Sequence, residues 1–444
     1  MGLLRTFLAL CVVIEHSGGV IFGVKPMPGF LAVQSFYIVS GFYMALVLTE
    51  KYRSIEQLRL FYHARAHRLY PIYWTVLSAT IALDLLLYGL GVPNRLDNWF
   101  THTSGPFVML LAAASNVALF GLDWFRLSMG NIHENTGGLI IVVQSWTLGV
   151  ELCFYAIVPL LIRLRSIWLL LLLLASFIAR AVLYSGGPVA HVWTNAFFPF
   201  ELGLFVAGML AYRTYVAIDA YAPWKDLVKR AGWPVLAMLM AAGTLCFEAN
   251  APVETGWGPV RNWIFLASIA VALPVLFLRF RHERYDDSIG RFSYPVYMVH
   301  FLFVTLFAAL IPKSMANISY FVLPLTLIGA WFLIRRFETP QPSLRTKPKS
   351  KAALRPLLVV ADDNLKRCAQ LFEKDGRFTI VQPGTGFAGS GGDINTAYAK
   401  FRAKFHGAHE KPGLANAEGL RTRGDSPQRD VTPADVSLSV AAKE

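Results

Sequence analysis

The chain has 444 residues, 55% of them hydrophobic and only 16% charged, with a formal net charge of +13. Soluble domains carry about 25% charged residues, so this composition excludes an ordinary soluble protein and points to a bilayer as the solvent. Residues 1–339 hold 24 Lys/Arg against 17 Asp/Glu, and residues 340–444 hold 17 against 11. Basic loops in a polytopic protein report orientation, so the excess gives no reason to expect nucleic acid as a partner. Cys11, Cys153, Cys246 and Cys368 are scattered without metal-ligand spacing, so neither a metal site nor a disulfide framework is expected.

Apolar runs of about 17–25 residues cross a bilayer as helix. They fall near 3–24, 30–50, 69–92, 142–162, 166–184, 196–212, 232–248, 262–278, 294–312 and 317–334. The first is followed so closely by the second that it reads as a retained helix, not a cleaved leader. A weaker run at 105–122 is interrupted by Asn116. The basic connections are 51–68, Arg163/Arg165, 213–230, 279–291 and the stretch from Arg335. Placing all of them in the cytoplasm requires 93–141 to stay outside, with 105–122 re-entrant or lying on the surface. The expected fold is therefore an all-α integral membrane protein of about ten transmembrane helices, with both termini cytoplasmic.

The membrane domain is expected to span 1–338 and a basic tail 339–444. TPQPSLRTKPKSK reads as a linker. The segment PLLVVADDNLKRCAQLFEKDGRFTIVQPG could form strand–helix–strand, with Asp362 and Asp363 faintly resembling the start of a phosphoacceptor receiver domain. The remainder is too short and polar to complete one, and a largely disordered tail is the stronger expectation.

Ionisable side chains inside spanning helices are expensive and mark function by default. In the first helix, His16 follows Arg5 by eleven residues, three turns and 20° on. The two thus share a face, one at the helix entrance and one at mid-membrane. Histidine titrates near neutrality and can accept a proton from a hydroxyl; a packing role for His16 through hydrogen bonds fits equally well. Ser40-Gly41 offers a close-packing site of small residues. Arg65 and Arg68, at i and i+3, share one face and could grip phosphate oxygens jointly, with His63 and His67 as additional donors. Asp84 and Glu201 are lesser candidates. Glu151 lies in a strongly apolar helix and must pair with a cation, accept hydrogen bonds or be protonated. It could orient His16, fix an arginine or join helices. His300 is a second membrane histidine, and with Tyr294 and Tyr297 it reads foremost as hydrogen-bonded core.

Five elements in chain order together resemble the acyltransferase-3 family of membrane acyltransferases. They are Arg5-x10-His16, SFYIVSGF, Arg65-x-x-Arg68 with LYPIYW, SWTLGVELCFYAIVPLL and SYPVYMVHFLF, spread over residues 3–335. Thr147, Tyr37 and Val39 depart modestly from the family pattern. The resemblance implies ten helices and an acyl-CoA donor, commonly acetyl-CoA, acting as co-substrate with no tightly bound cofactor. It further implies an acceptor hydroxyl on a surface glycan, lipid-linked sugar or related metabolite, and an address in the cell (inner) membrane. His16 matches the histidine regarded as catalytic, and Arg5, Arg65 and Arg68 match arginines associated with donor binding. Glu151 and His300 are assigned supporting parts. A proton-coupled transporter or flippase using the same His and Glu, or a membrane scaffold acting through its tail, are the rival readings.

Overall fold

The structure, a computed structural model, describes residues 1–52, 54–94, 105–128, 139–184, 196–247, 258–311 and 317–337, strand segments between 358 and 391, and the single positions 99, 396 and 400. The chain divides into two units, Met1–Ser343 and Leu344–Glu444.

The first unit is a helix bundle. Its helices are α1 (Gly2–His16), α2 (Gly29–Glu50), α3 (Leu58–Gly89), α4 (Pro106–Ala118), α5 (Leu122–Ser128), α6 (Trp146–Leu161) and α7 (Ser166–Tyr184). They continue with α8 (Phe198–Ala220), α9 (Ala222–Leu245), α10 (Gly258–Phe280), α11 (Arg284–Gly290), α12 (Ser293–Leu310) and α13 (Ser319–Phe337). Each of the ten expected segments is met by a helix. Among the described residues, eight helices are long and apolar enough to cross a membrane. The other two segments are α1 and α9. The first has only 15 residues, and the second carries Lys225, Asp226, Lys229 and Arg230 in its opening turns. At 1.5 Å per residue α1 is about 22 Å long. It is enclosed on most sides, with Leu4, Leu8, Ala9, Cys11, Val12 and Val13 buried.

Contacts between helix ends show that the basic connections gather at one end of the bundle. The Asp286 carboxylate accepts the N–H groups of Gly2 (2.8 Å) and Leu3 (2.9 Å). Arg213 donates to Ser166 Oγ at 2.8 Å, and Arg281 forks onto Asp219 at 3.1 Å. Tyr212 reaches Glu50 at 3.5 Å. The opposite end is tied by Met27 N–H to Gly243 O (2.7 Å) and by Arg261 to Cys246 O (3.1 Å). The alternation of the ten segments between these ends puts the described residues of 93–141 on the side away from the basic connections.

The run at 105–122 does not cross. Helix α4 has 13 residues, about 20 Å, and its last carbonyls meet α3 on the flank of the bundle. Tyr73, Trp74 and Tyr70 donate to the carbonyls of Asn116, Val117 (3.0 Å) and Ala118 (2.8 Å). A helix C-terminus leaves its last carbonyls without partners, and the aromatic cluster of LYPIYW supplies them. The chain then turns back through Leu119 and Gly121, at φ of +60° and +79°. Asn116 also holds the incoming segment, donating to Leu139 O at 2.7 Å and accepting from Ile141 N–H at 2.9 Å. Non-helical backbone at this depth is tolerated because protein covers it; Leu139, Ile140 and Val142 are buried. This is a re-entrant hairpin.

Small residues set the closest crossing. A Cβ added to Gly41 on α2 would strike the Phe205 carbonyl on α8, and one added to Gly208 would strike the Ile38 carbonyl. The two glycines let these backbones touch, as small-residue membrane crossings do.

Within the second unit the described strands are β1 (Leu358–Asp362), β2 (Arg367–Lys374), β3 (Arg377–Val381) and β4 (Ala388–Gly391). They form an antiparallel sheet in sequence order, with Val360 opposite Ala369, Leu371 opposite Ile380 and Thr379 opposite Ser390. The strand–helix–strand expectation is thus corrected at its middle element. Residues 367–374 pair on both sides, and ladder formation outweighs local helical preference. The Asp375-Gly376 link is a strong hairpin signal, and an antiparallel meander removes the likeness to a receiver domain. The disorder expected for most of 339–444 falls largely outside the described residues.

Candidate active site

Helix α12 organises the centre through three residues about a turn apart. Tyr294 donates to Leu69 O of α3 at 2.8 Å. Tyr297 contacts Thr147 Oγ1 at 2.9 Å and donates to Gln144 O at 3.3 Å, meeting the start of α6. His300, fully buried, places Nε2 3.2 Å from Nδ1 of His16, while its own Nδ1 lies 2.7 Å from Tyr297 O. One face of one helix therefore reaches α3, α6 and α1 in succession.

With both rings neutral, these contacts allow one placement of the hydrogens. A carbonyl only accepts, so Nδ1 of His300 carries a hydrogen and its Nε2 presents a lone pair. That lone pair takes the Nδ1 hydrogen of His16, which leaves the lone pair of His16 on Nε2. The rings lie 5.3 Å apart at 22°, and Phe301 packs on His16 at 4.7 Å. His300 is sealed, whereas His16 is exposed. The tautomer of His16 is then set by its buried partner.

The arginines assemble at the other end of α1. Arg5 donates to Ser293 Oγ at 2.7 Å and stands 5.9 Å from the Tyr43 ring. Tyr43 lies within electrostatic reach of both Arg5 and Arg68. Arg65 lies within reach of Tyr155, Arg68 and Glu151, and Tyr294 within reach of Glu151 and Arg68. The Glu151 carboxylate accepts from Ser40 Oγ and Tyr155 OH, both at 2.6 Å. Glu151 thus stands with the arginines, and the group that meets His16 is His300. Arg5, Ser40, Arg65, Arg68 and Glu151 are all half-buried. Among the described residues, the buried Nε of Arg65 has no hydrogen-bond partner.

Depth follows from residue counts. Tyr43 stands seven residues before the end of α2 and Glu151 ten before the end of α6, so the arginine cluster is recessed by about 10–15 Å. His16 is eleven residues beyond Arg5, about 16 Å deeper.

The remaining candidates fall elsewhere. His63 and His67 are exposed on α3 with rings 6.3 Å apart. Glu201 is fully buried, 3.4 Å from Arg180 and 3.3 Å from the Gln34 amide. Asp84 is buried on α3, sixteen residues beyond Arg68. The sequence reading passed over Tyr155, Tyr43, Ser293, Gln144 and Arg180. A basic or polar residue interrupting an apolar run would have flagged Arg180 and Gln144; the others look like ordinary helix residues.

The model of the acyltransferase domain family matches residues 1–335 of this chain. The chain belongs to the acyltransferase-3 family. It is a multi-pass membrane acyltransferase. It is also similar to the "Protein 2 in picA locus" of Rhizobium radiobacter, 31% identical over 155 residues, which covers 35% of this chain and 76% of that protein. No solved structure matches this chain.

Proposed function

We propose that this acyltransferase moves an acyl group from acyl-CoA to a hydroxyl of a glycan or lipid-linked sugar, with His16 as general base. The observation that carries the reading is the pairing of His16 with His300, which leaves a lone pair on Nε2 of an exposed imidazole. Acyl-CoA enters from the basic end, taken as cytoplasmic by the loop-charge rule. Arg65, Arg68 and Arg5 neutralise its phosphates, and Glu151 steadies the cluster through Ser40 and Tyr155. The recessed cluster and the 11-residue interval on α1 suit a donor whose charged end stops at the arginines while its thioester reaches His16.

Nε2 of His16 takes the acceptor's hydroxyl proton as the oxygen attacks the thioester carbonyl. The carbon–sulfur bond breaks, and the imidazolium returns that proton to the leaving thiolate. The products are an ester and a free thiol. His300 holds the imidazolium by accepting its Nδ1 hydrogen throughout.

Membranes holding wild type or His16→Ala, given labelled acetyl-CoA and a cell-envelope glycan extract, test the reading. Label entering the glycan with wild type alone is the expected result. Equal transfer by both proteins would remove His16 from the chemistry.

A further inference from the structure

Immediately after His16 the chain builds a short, exposed hairpin. Ile21 and Val24 exchange N–H···O bonds of 3.0 and 2.9 Å around Phe22 and Gly23, at φ of +49° and +76°. This two-residue turn asks for left-handed backbone at both centres, which is why Asn-Gly dominates it. A bulky residue adopts that conformation only when its surroundings impose it, and such outliers gather at functional sites. Yet position 22 carries a phenyl ring, and that ring is 81% exposed.

The surroundings hold it there. Phe22 N–H donates to Tyr320 OH at 3.1 Å, and the two rings meet edge-on at 5.5 Å. Asn317 donates to Val20 O at 2.6 Å, and Ser17 and Ser319 share hydroxyls at 2.9 Å. The start of α13 is therefore stitched to the hairpin at every second or third residue. Between His16 and the ring, a Cβ added at Gly19 would meet only open space, as would one at Gly23. The result is an aromatic ledge at the end of the bundle opposite the arginines, six residues from the exposed imidazole.

We infer that Phe22, braced by Tyr320, is the acceptor platform: the apolar face of a sugar ring stacks on it, and a hydroxyl of the neighbouring sugar reaches His16. This rests on the acyltransferase reading with His16 as base. It specifies a carbohydrate acceptor approaching from the end away from the donor.

The turn chemistry supplies a discriminating variant. Phe22→Asn removes the ring while installing the residue this turn prefers, so the hairpin is retained. Phe22→Trp keeps an aromatic face. Binding of neutral hexose and N-acetylhexosamine oligosaccharides to purified full-length protein, without donor, is read by saturation-transfer NMR. At least one oligosaccharide is expected to bind wild type and Phe22→Trp alike, and to bind Phe22→Asn at least tenfold more weakly. Acyl-CoA binding should be equal in all three. No oligosaccharide binding to wild type, or undiminished binding to Phe22→Asn, overturns the platform. Undiminished binding, together with more quenching by brominated lipid in Phe22→Trp than in wild type with its 11 tryptophans, makes the ring a membrane anchor instead. Intact glycan binding without any acyl transfer would count against the acyltransfer mechanism and leave the platform standing.

Discussion

Glu151 and Glu201 both stand inside this bundle, and the protein treats them oppositely. Glu201 is sealed, facing Arg180 and Gln34 across α7, α8 and α2, with Arg180 also 5.0 Å from the Trp263 ring. Glu151 is half-buried, held by Ser40 and Tyr155, and faces arginines of which one keeps a buried Nε unfilled by the described residues. Residue type and apolar context are the same in both. The difference lies in what the partners leave over. At Glu201 one carboxylate meets one cation and an amide in a sealed setting, which joins helices. Around Glu151 positive charge exceeds what the carboxylate neutralises, which leaves room for an anion.

Activity and stability should separate along this line. His16→Ala should lower acyl transfer by about 10²–10⁴-fold, the usual worth of a general base, with the folded fraction in membranes unchanged. Glu201→Ala should act on folding, since stripping one partner from a buried pair costs about 3–5 kcal/mol. Its signature is a fall in thermal midpoint in detergent, with turnover per folded molecule preserved. If Glu201→Ala instead kept its midpoint and lost turnover, the division between joint and site would collapse.

The next effects sharpen the site itself. Arg65→Ala with Arg68→Ala should raise the KM for acyl-CoA by about 10²–10⁴-fold, as charge-assisted hydrogen bonds are worth about 1.5–3 kcal/mol each. The acceptor's KM should stay put, and steady-state kinetics in each substrate checks both. His300→Ala should reduce kcat by about 10–100-fold, the range seen when an orienting partner of a histidine is lost. It should also alter the pH–rate profile while leaving donor KM alone. An unchanged profile would make His300 mere packing. Glu151→Gln should give the smallest change, a several-fold weaker donor, because the amide oxygen still accepts from Ser40 and Tyr155. The experiment is a donor titration against wild type.

Much of the architecture is legible before any coordinates. Long apolar runs have one stable form in lipid, because every backbone group must be satisfied within the helix. The ten segments and their basic connections therefore follow from composition alone. So does the shared face of Arg5 and His16, which is helix geometry. The re-entrant course of 105–122 is only half legible: its shortness shows, but the reason it can stop on the flank of the bundle is that Tyr70, Tyr73 and Trp74 from another helix take its carbonyls. In the tail, the same residues that read as a helix became β2 once strands were available on both sides.

The site divides in the same way. The sequence by itself determined which rare ionisable residues the membrane segments carry, since hydrocarbon makes each one costly enough to notice. Tertiary structure alone decided their partners, because helix packing brings together residues hundreds of positions apart, with no trace in local spacing. It set His300 on His16 and so chose the tautomer. It placed Glu151 with Arg65, closed Glu201 onto Arg180, and raised Phe22 on a left-handed turn braced by Tyr320.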